Sequence, residues 1–148
     1  MFNMFSDDAL SNILACAIIV LWVSVLIIFL ISFFMFLIPI SKYREKLSRD
    51  RKYIKSIGGD VSSYKPSYRP PLVSWNCIAL YCSAWPLMIL SYILVCVCDF
   101  YNLISDETFE QLHAFVVPVE FTSVGFAFVI LICMIVYSFY SVSVTDKK

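Results

Sequence analysis

Glu120 is the ionisable residue of this chain best placed for unusual chemistry. It stands at the head of a charge-free run, residues 121–145. A carboxylate held inside hydrocarbon is costly and marks an ion path, a proton relay or a buried pair. At a helix start the same residue would lie among headgroups, where the positive end of the macrodipole favours an acid. Pro118, two positions earlier, suits the first turn of a helix. The expectation is therefore an interfacial Glu120 at a helix start, with a deeper position as the alternative. His113 is the single histidine, and Glu110 precedes it by three positions. The pair offers two weak ligands or a titration near neutrality. One histidine does not build a metal centre, and an ordinary interfacial side chain is expected. Ser105 is placed to cap a short helix carrying both.

The six cysteines, Cys16, Cys77, Cys82, Cys96, Cys98 and Cys133, fall in or beside apolar runs. Their spacing matches neither a zinc site nor a Cys-x-x-Cys redox pair. Cys96 and Cys98 point in different directions on a helix, so a mutual bridge is strained. Free thiols acting as small apolar groups are expected. A phosphate-binding glycine loop, a catalytic triad and paired carboxylates at helical spacing within a run are all missing from the sequence. With its single histidine outside the apolar runs, haem ligation is not expected either. The reading is a protein that is not an enzyme and carries no cofactor or metal.

Charge is the next feature. The formal net charge is zero, yet nine of the eleven basic residues fall in the segment 42–69. Residues 41–56 read as a helix, with Ile40, Tyr43, Leu47 and Ile54 near one face at helical spacing. That pattern suits a helix lying on an anionic membrane surface. Lys46, Arg49, Arg51, Lys52 and Lys55 are the candidates for contact with lipid headgroups or an acidic partner. The simpler reading is that these bases fix membrane orientation. Charge alone does not make a nucleic-acid site. Gly58 and Gly59 should stop the helix. Two Tyr-basic-Pro tetrads follow, Tyr64-Lys65-Pro66-Ser67 and Tyr68-Arg69-Pro70-Pro71. Their prolines favour an extended path. Such a segment is expected to be a strap leading the chain back, with recognition by a partner as the alternative.

These residues are positioned by three apolar runs. Sixty-one percent of the chain is apolar, above the roughly 45–50% of soluble domains. The 33 residues 9–41 carry no charge, where about 20 suffice to cross a bilayer. The expected fold is an all-α membrane protein of one domain with three transmembrane helices. The spans are placed at about 12–39, 72–98 and 117–140, joined by a basic loop, 41–71, and an acidic loop, 99–116. The first span is some 42 Å long at about 1.5 Å per residue. Pro39 is expected to kink it near its exit. Asp7 and Asp8 without a nearby base argue for a retained anchor, not a cleaved signal.

Pro86 lies mid-way along the second span and is expected to kink it. It deprives the Cys82 carbonyl of its donor, which Ser83 is near enough to replace. In the third span Ser123, Gly125 and Ala127 form a small-residue patch suited to close helix contact. Ser24, Ser83, Ser91 and Ser138 are candidates for bonds across helices. The phenylalanine-rich stretch 29–36 is expected to face lipid or a partner helix.

Short loops rich in Lys and Arg stay on the cytoplasmic side. The loop 41–69 is basic, the loop 99–116 holds Asp99, Asp106, Glu107 and Glu110 without a base, and the chain ends in Lys147 and Lys148. The expected orientation places the N-terminus outside and the C-terminus in the cytoplasm, in a bacterial inner membrane. Three helices enclose little polar interior for a transporter acting alone. The functional expectation is an accessory or immunity-type protein that binds a membrane partner through its helices, with lipids and a second membrane protein or copies of itself as partners. The alternative is a homo-oligomeric pore. The arrangement is similar to that of three-span phage holins, although the long basic loop differs from their short connections. Glu120, Ser24, Ser83 and Ser91 would then line water.

Overall fold

A computed structural model describes residues 7–146 of the chain. The described residues form three α-helices, α1 Asp7–Ser56, α2 Trp75–Phe100 and α3 Asp106–Asp146. Each contains a stretch long and apolar enough to cross a membrane. This is an integral membrane protein with an all-helical fold. Lys147 and Lys148, and residues 1–6 of the expected anchor, lie outside the described residues.

The helices are longer than their hydrophobic runs and continue past two of the expected span limits. The first span and the basic helix are one element, since α1 continues through Pro39 to Ser56. The third span and the short helix ahead of it also merge, so α3 begins at Asp106 and holds Pro118 in its interior. The cause is the same in both cases. A helix end exposes four unpaired carbonyls, whereas an internal proline removes one donor. In lipid, continuing the helix is the cheaper choice. α2 also continues through Pro86. Its first residue is Trp75, because the Ser74 hydroxyl accepts the Cys77 amide at 3.2 Å and caps it.

Two helix ends close alike. Gly58 has φ 76° and Asn102 has φ 49°, left-handed conformations favoured by glycine and tolerated by asparagine. The next amides then reach back five residues, from Gly59 to the Ile54 carbonyl and from Leu103 to the Cys98 carbonyl, both at 2.9 Å. Ser105 sits just ahead of α3, where its carbonyl accepts the Phe109 amide and its hydroxyl bonds Thr108.

α1 is the central element and packs against both others. Its buried residues are Ser11, Ala15, Ile18, Trp22, Val25, Phe29, Ser32 and Phe36. Alternating steps of four and three keep one face of a helix toward its neighbours, as in coiled coils. Cys77, Tyr81, Ala84, Ser91 and Cys98 form the matching face of α2. Leu112, Val116, Ser123, Ala127, Ile130, Met134 and Ser141 do so on α3. Of the small-residue patch, Ser123 and Ala127 make the contact, while Gly125 faces open space.

One core layer surrounds Phe29, whose ring lies 5.6 Å from Tyr81 and 6.2 Å from Trp85. The Tyr81 hydroxyl crosses to the Ala127 carbonyl of α3 at 3.0 Å. A second layer surrounds Trp22, with Ile18, Cys98, Leu112 and Val116. The phenylalanine stretch divides, since Phe29 and Phe36 are buried and Phe34 is exposed. Many large apolar side chains on the outer surface, among them Val20, Ile93, Phe128 and Ile132, are exposed. That is the arrangement lipid tails favour.

The four serines expected to bond across helices do not do so. Ser24, Ser83, Ser91 and Ser138 each donate to a carbonyl of their own helix, at Val20, Leu80, Leu87 and Met134. Ser83 therefore serves Leu80 and not the Cys82 carbonyl. The crossing serines are Ser32, whose hydroxyl donates to the Cys77 carbonyl at 3.2 Å, and Ser11, which accepts the Ser105 amide at 3.0 Å. Both lie on the seam of α1, where the neighbouring chain is near enough. All six cysteines are free. Cys77 and Cys98 are buried, whereas Cys16, Cys82 and Cys96 are exposed.

Removing the Phe29 ring should therefore open a cavity between all three helices. Phe29→Ala is expected to destabilise the bundle by about 3 kcal/mol. Phe34→Ala, on the outer face, should change stability little. Thermal unfolding of the two variants in the same detergent compares them.

Candidate functional site

Polar chemistry gathers at the two ends of the bundle. At the basic end, α1 carries on past Lys42 for 14 residues to Ser56, or about 21 Å. The face of Tyr43, Leu47 and Ile54, expected to lie on lipid, is met by the chain's own return segment instead. The Tyr64 hydroxyl donates to Asp50 Oδ2 at 2.9 Å and the Tyr68 hydroxyl donates to the same oxygen at 2.7 Å. The Tyr68 ring packs edge-on against Tyr43 at 5.5 Å, and Lys46 Nζ lies 4.2 Å above it. The two Tyr-basic-Pro tetrads are thus a strap, each fastened by its tyrosine to one carboxylate. Further along, the Tyr137 hydroxyl of α3 donates to the Pro71 carbonyl at 2.7 Å. Pro39 lines a tight crevice with Pro71, Val73 and Tyr137.

Asp50 is the functional residue missed by sequence reasoning. Its signal was available, because it falls on the same helical face as Tyr43, Leu47 and Ile54. An acid on an otherwise apolar face calls for a donor. Asp60 is occupied as well, accepting the Ser62 amide at 2.9 Å and the Ser62 hydroxyl at 2.7 Å. Arg49 pairs with Glu45 at 3.8 Å, both exposed. Such a surface pair contributes little.

The expected basic candidates therefore separate. Lys46 is held over Tyr68 and Arg49 is paired. Arg51, Lys52 and Lys55 line a concave surface together with Arg44, Ser48, Leu47 and Val61.

At the acidic end a cavity of about 180 Å³ opens beside α1 and between α2 and α3. Its lining includes Trp22, Tyr92, Cys96, Asp99, His113 and Glu120. Glu120 is half-buried and lies 14 residues into α3, about 21 Å from the helix start. The expected helix-start position is therefore overturned, and the macrodipole does not account for this acid. His113 is exposed, with its ring 6.1 Å from Phe109. Among the described residues, no three His, Cys, Asp or Glu side chains are grouped to hold a metal ion. The Trp22 indole nitrogen is fully buried and has no hydrogen-bond partner. Pro86 is on the outer face of α2, away from both ends.

No protein-family model, curated protein or solved structure matches this chain.

The hydrogen bonds from Tyr68 and then Tyr64 hold the Asp50 carboxyl below its usual range. Both tyrosines are raised, first by desolvation and then by their bonds to Asp50. A lowered acid stabilises the strap fully above its unfolded value, about 4. That contribution disappears as pH falls through the folded value. The raised tyrosines act in the opposite direction. Theirs is present below about 10 and is lost as pH rises further. The strap should therefore be fastened between these limits and released in acid and in strong alkali. Hydrogen exchange over residues 61–71, corrected for intrinsic rates, should accelerate at both extremes. At neutral pH, Tyr64→Phe with Tyr68→Phe should raise chymotryptic cleavage after these two positions about fivefold or more, because both bonds to Asp50 are lost.

Proposed function

We propose that this protein is a small accessory subunit, of the interaction or immunity type, that binds a helix of a membrane partner through its own spans. The supporting observation is where the concave apolar surface lies. Trp22, Phe29, Ile130 and Tyr81 fill much of the interior between the helices. An open groove of about 520 Å³ runs instead along Val73, Tyr81, Cys82, Met134, Ile135 and Phe139, between α2 and α3. The Ser138 hydroxyl in its lining is already bonded to Met134. The groove offers dispersion contacts and little polar recognition, which suits an apolar helix.

We read the basic end as cytoplasmic and the acidic end as outward, in a bacterial inner membrane, because the retained bases cluster in one loop. The pore alternative draws on Glu120 and its cavity. Against it, Ser91 is buried and Ser83 exposed, and each of the serines is bonded to its own helix, so these groups do not line one path within a chain.

The reading predicts that a tagged chain, extracted from its native membrane in mild detergent, carries a second membrane protein. Ile135→Trp, on the exposed lining of the groove, should remove that partner without unfolding the bundle. Recovery of the chain only with copies of itself, together with ion flux in liposomes that changes in Glu120→Gln, would establish the pore instead. A tag beside Lys52 should be unreachable from outside sealed cells.

A further inference from the structure

Four cations of α1, Arg44, Arg51, Lys52 and Lys55, line one concave surface of about 340 Å³ together with Val61. With about 100° of rotation per residue, these four and Ser48 fall on one face of the helix. None of the four has an acidic partner among the described residues. The nearby acids are occupied, with Glu45 on Arg49, Asp50 on the two strap tyrosines and Asp60 on Ser62. These acids stay ionised, but each is engaged elsewhere and none is seated on the four cations, which remain together.

We propose that this groove is a binding site for a ligand carrying two phosphate groups. Arg51, Lys52 and Lys55 lie within little more than one turn and form a compact cluster for one phosphate. Arg44, about 10 Å back along the axis from Arg51, and the Ser48 hydroxyl between them serve the second. Arginine provides a planar fork of donors and lysine a point charge, a combination that suits phosphate oxygens. A single phosphate leaves much of the positive face uncompensated. The turn at Gly58 and Gly59 builds the wall, because it brings Val61 back beside Leu47. The ligand is either the headgroup of a lipid with two phosphates or a soluble diphosphate. The two share this chemistry and differ in whether acyl chains accompany it. The site is independent of what the spans bind.

The test uses the full chain in a zwitterionic detergent. Calorimetry with inorganic pyrophosphate and with orthophosphate probes the soluble source. Native mass spectrometry with cardiolipin and with phosphatidylglycerol probes the lipid source. The expected result is a preference for the two-phosphate member in at least one arm. That binding should fall about tenfold or more in Arg51→Gln/Lys52→Gln/Lys55→Gln, as for lost charge-assisted bonds. It should persist in Lys46→Gln/Arg49→Gln, which removes charge outside the groove. Equal binding of one- and two-phosphate members in the unaltered chain would overturn the proposal, as would no binding in either arm. Because that comparison needs no substitution, a variant that fails to fold leaves the test intact. Equal loss in both folded variants would show attraction by general charge and would also overturn it.

Discussion

Helices in lipid gain nothing from hiding apolar surface, so their association rests on close packing and a few hydrogen bonds. This protein concentrates both on one face of α1. The steps from Ser11 to Phe36 alternate between four and three, and every buried residue of that helix lies on them. Trp22 and Phe29 are the large contacts at two depths. Ser11 and Ser32 supply the polar ties to the rest of the chain. α2 and α3 are each held by α1, and they meet through long side chains such as Tyr81 and Trp85. That division leaves the apolar groove between them open.

The same face of α1 continues beyond the apolar run and changes its chemistry. Past Pro39 it presents Tyr43, Leu47, Asp50 and Ile54, and the partner becomes the strap. One carboxylate accepting two tyrosine hydroxyls fixes a return segment that otherwise has few bonds. Fastening the strap also sets where charge lies, because it engages the Asp50 carboxylate, still ionised, away from the basic groove. The basic groove and the strap are thus products of one arrangement.

The proline positions explain most of what the sequence misplaced. Pro118 beside Glu120 has the appearance of a helix start, and Pro39 before Lys42 that of a kink where the first span ends. Both are interior, because the backbone has no better partner than itself at those depths. Glu120 consequently moves from a helix start to a cavity wall shared with Trp22, Asp99 and His113. The serines were misjudged for a related reason. A hydroxyl on a helix has its own carbonyl one turn away, and a crossing bond forms only where the seam brings another chain closer.

Composition and charge spacing by themselves determined that the chain has three helices able to cross a membrane, joined by one basic and one acidic connection. Those properties depend on local composition, which transfer into lipid reads directly. The glycine stop at Gly58 and the strap role of the Tyr-basic-Pro tetrads were legible for the same reason, since both depend on adjacent residues. Only tertiary structure decided that Asp50 fastens the strap, that Val61 walls the groove of Arg51, Lys52 and Lys55, and that Glu120 lines one cavity with Trp22. Each of these joins residues distant in the chain, and distance is closed by packing geometry that no local pattern encodes.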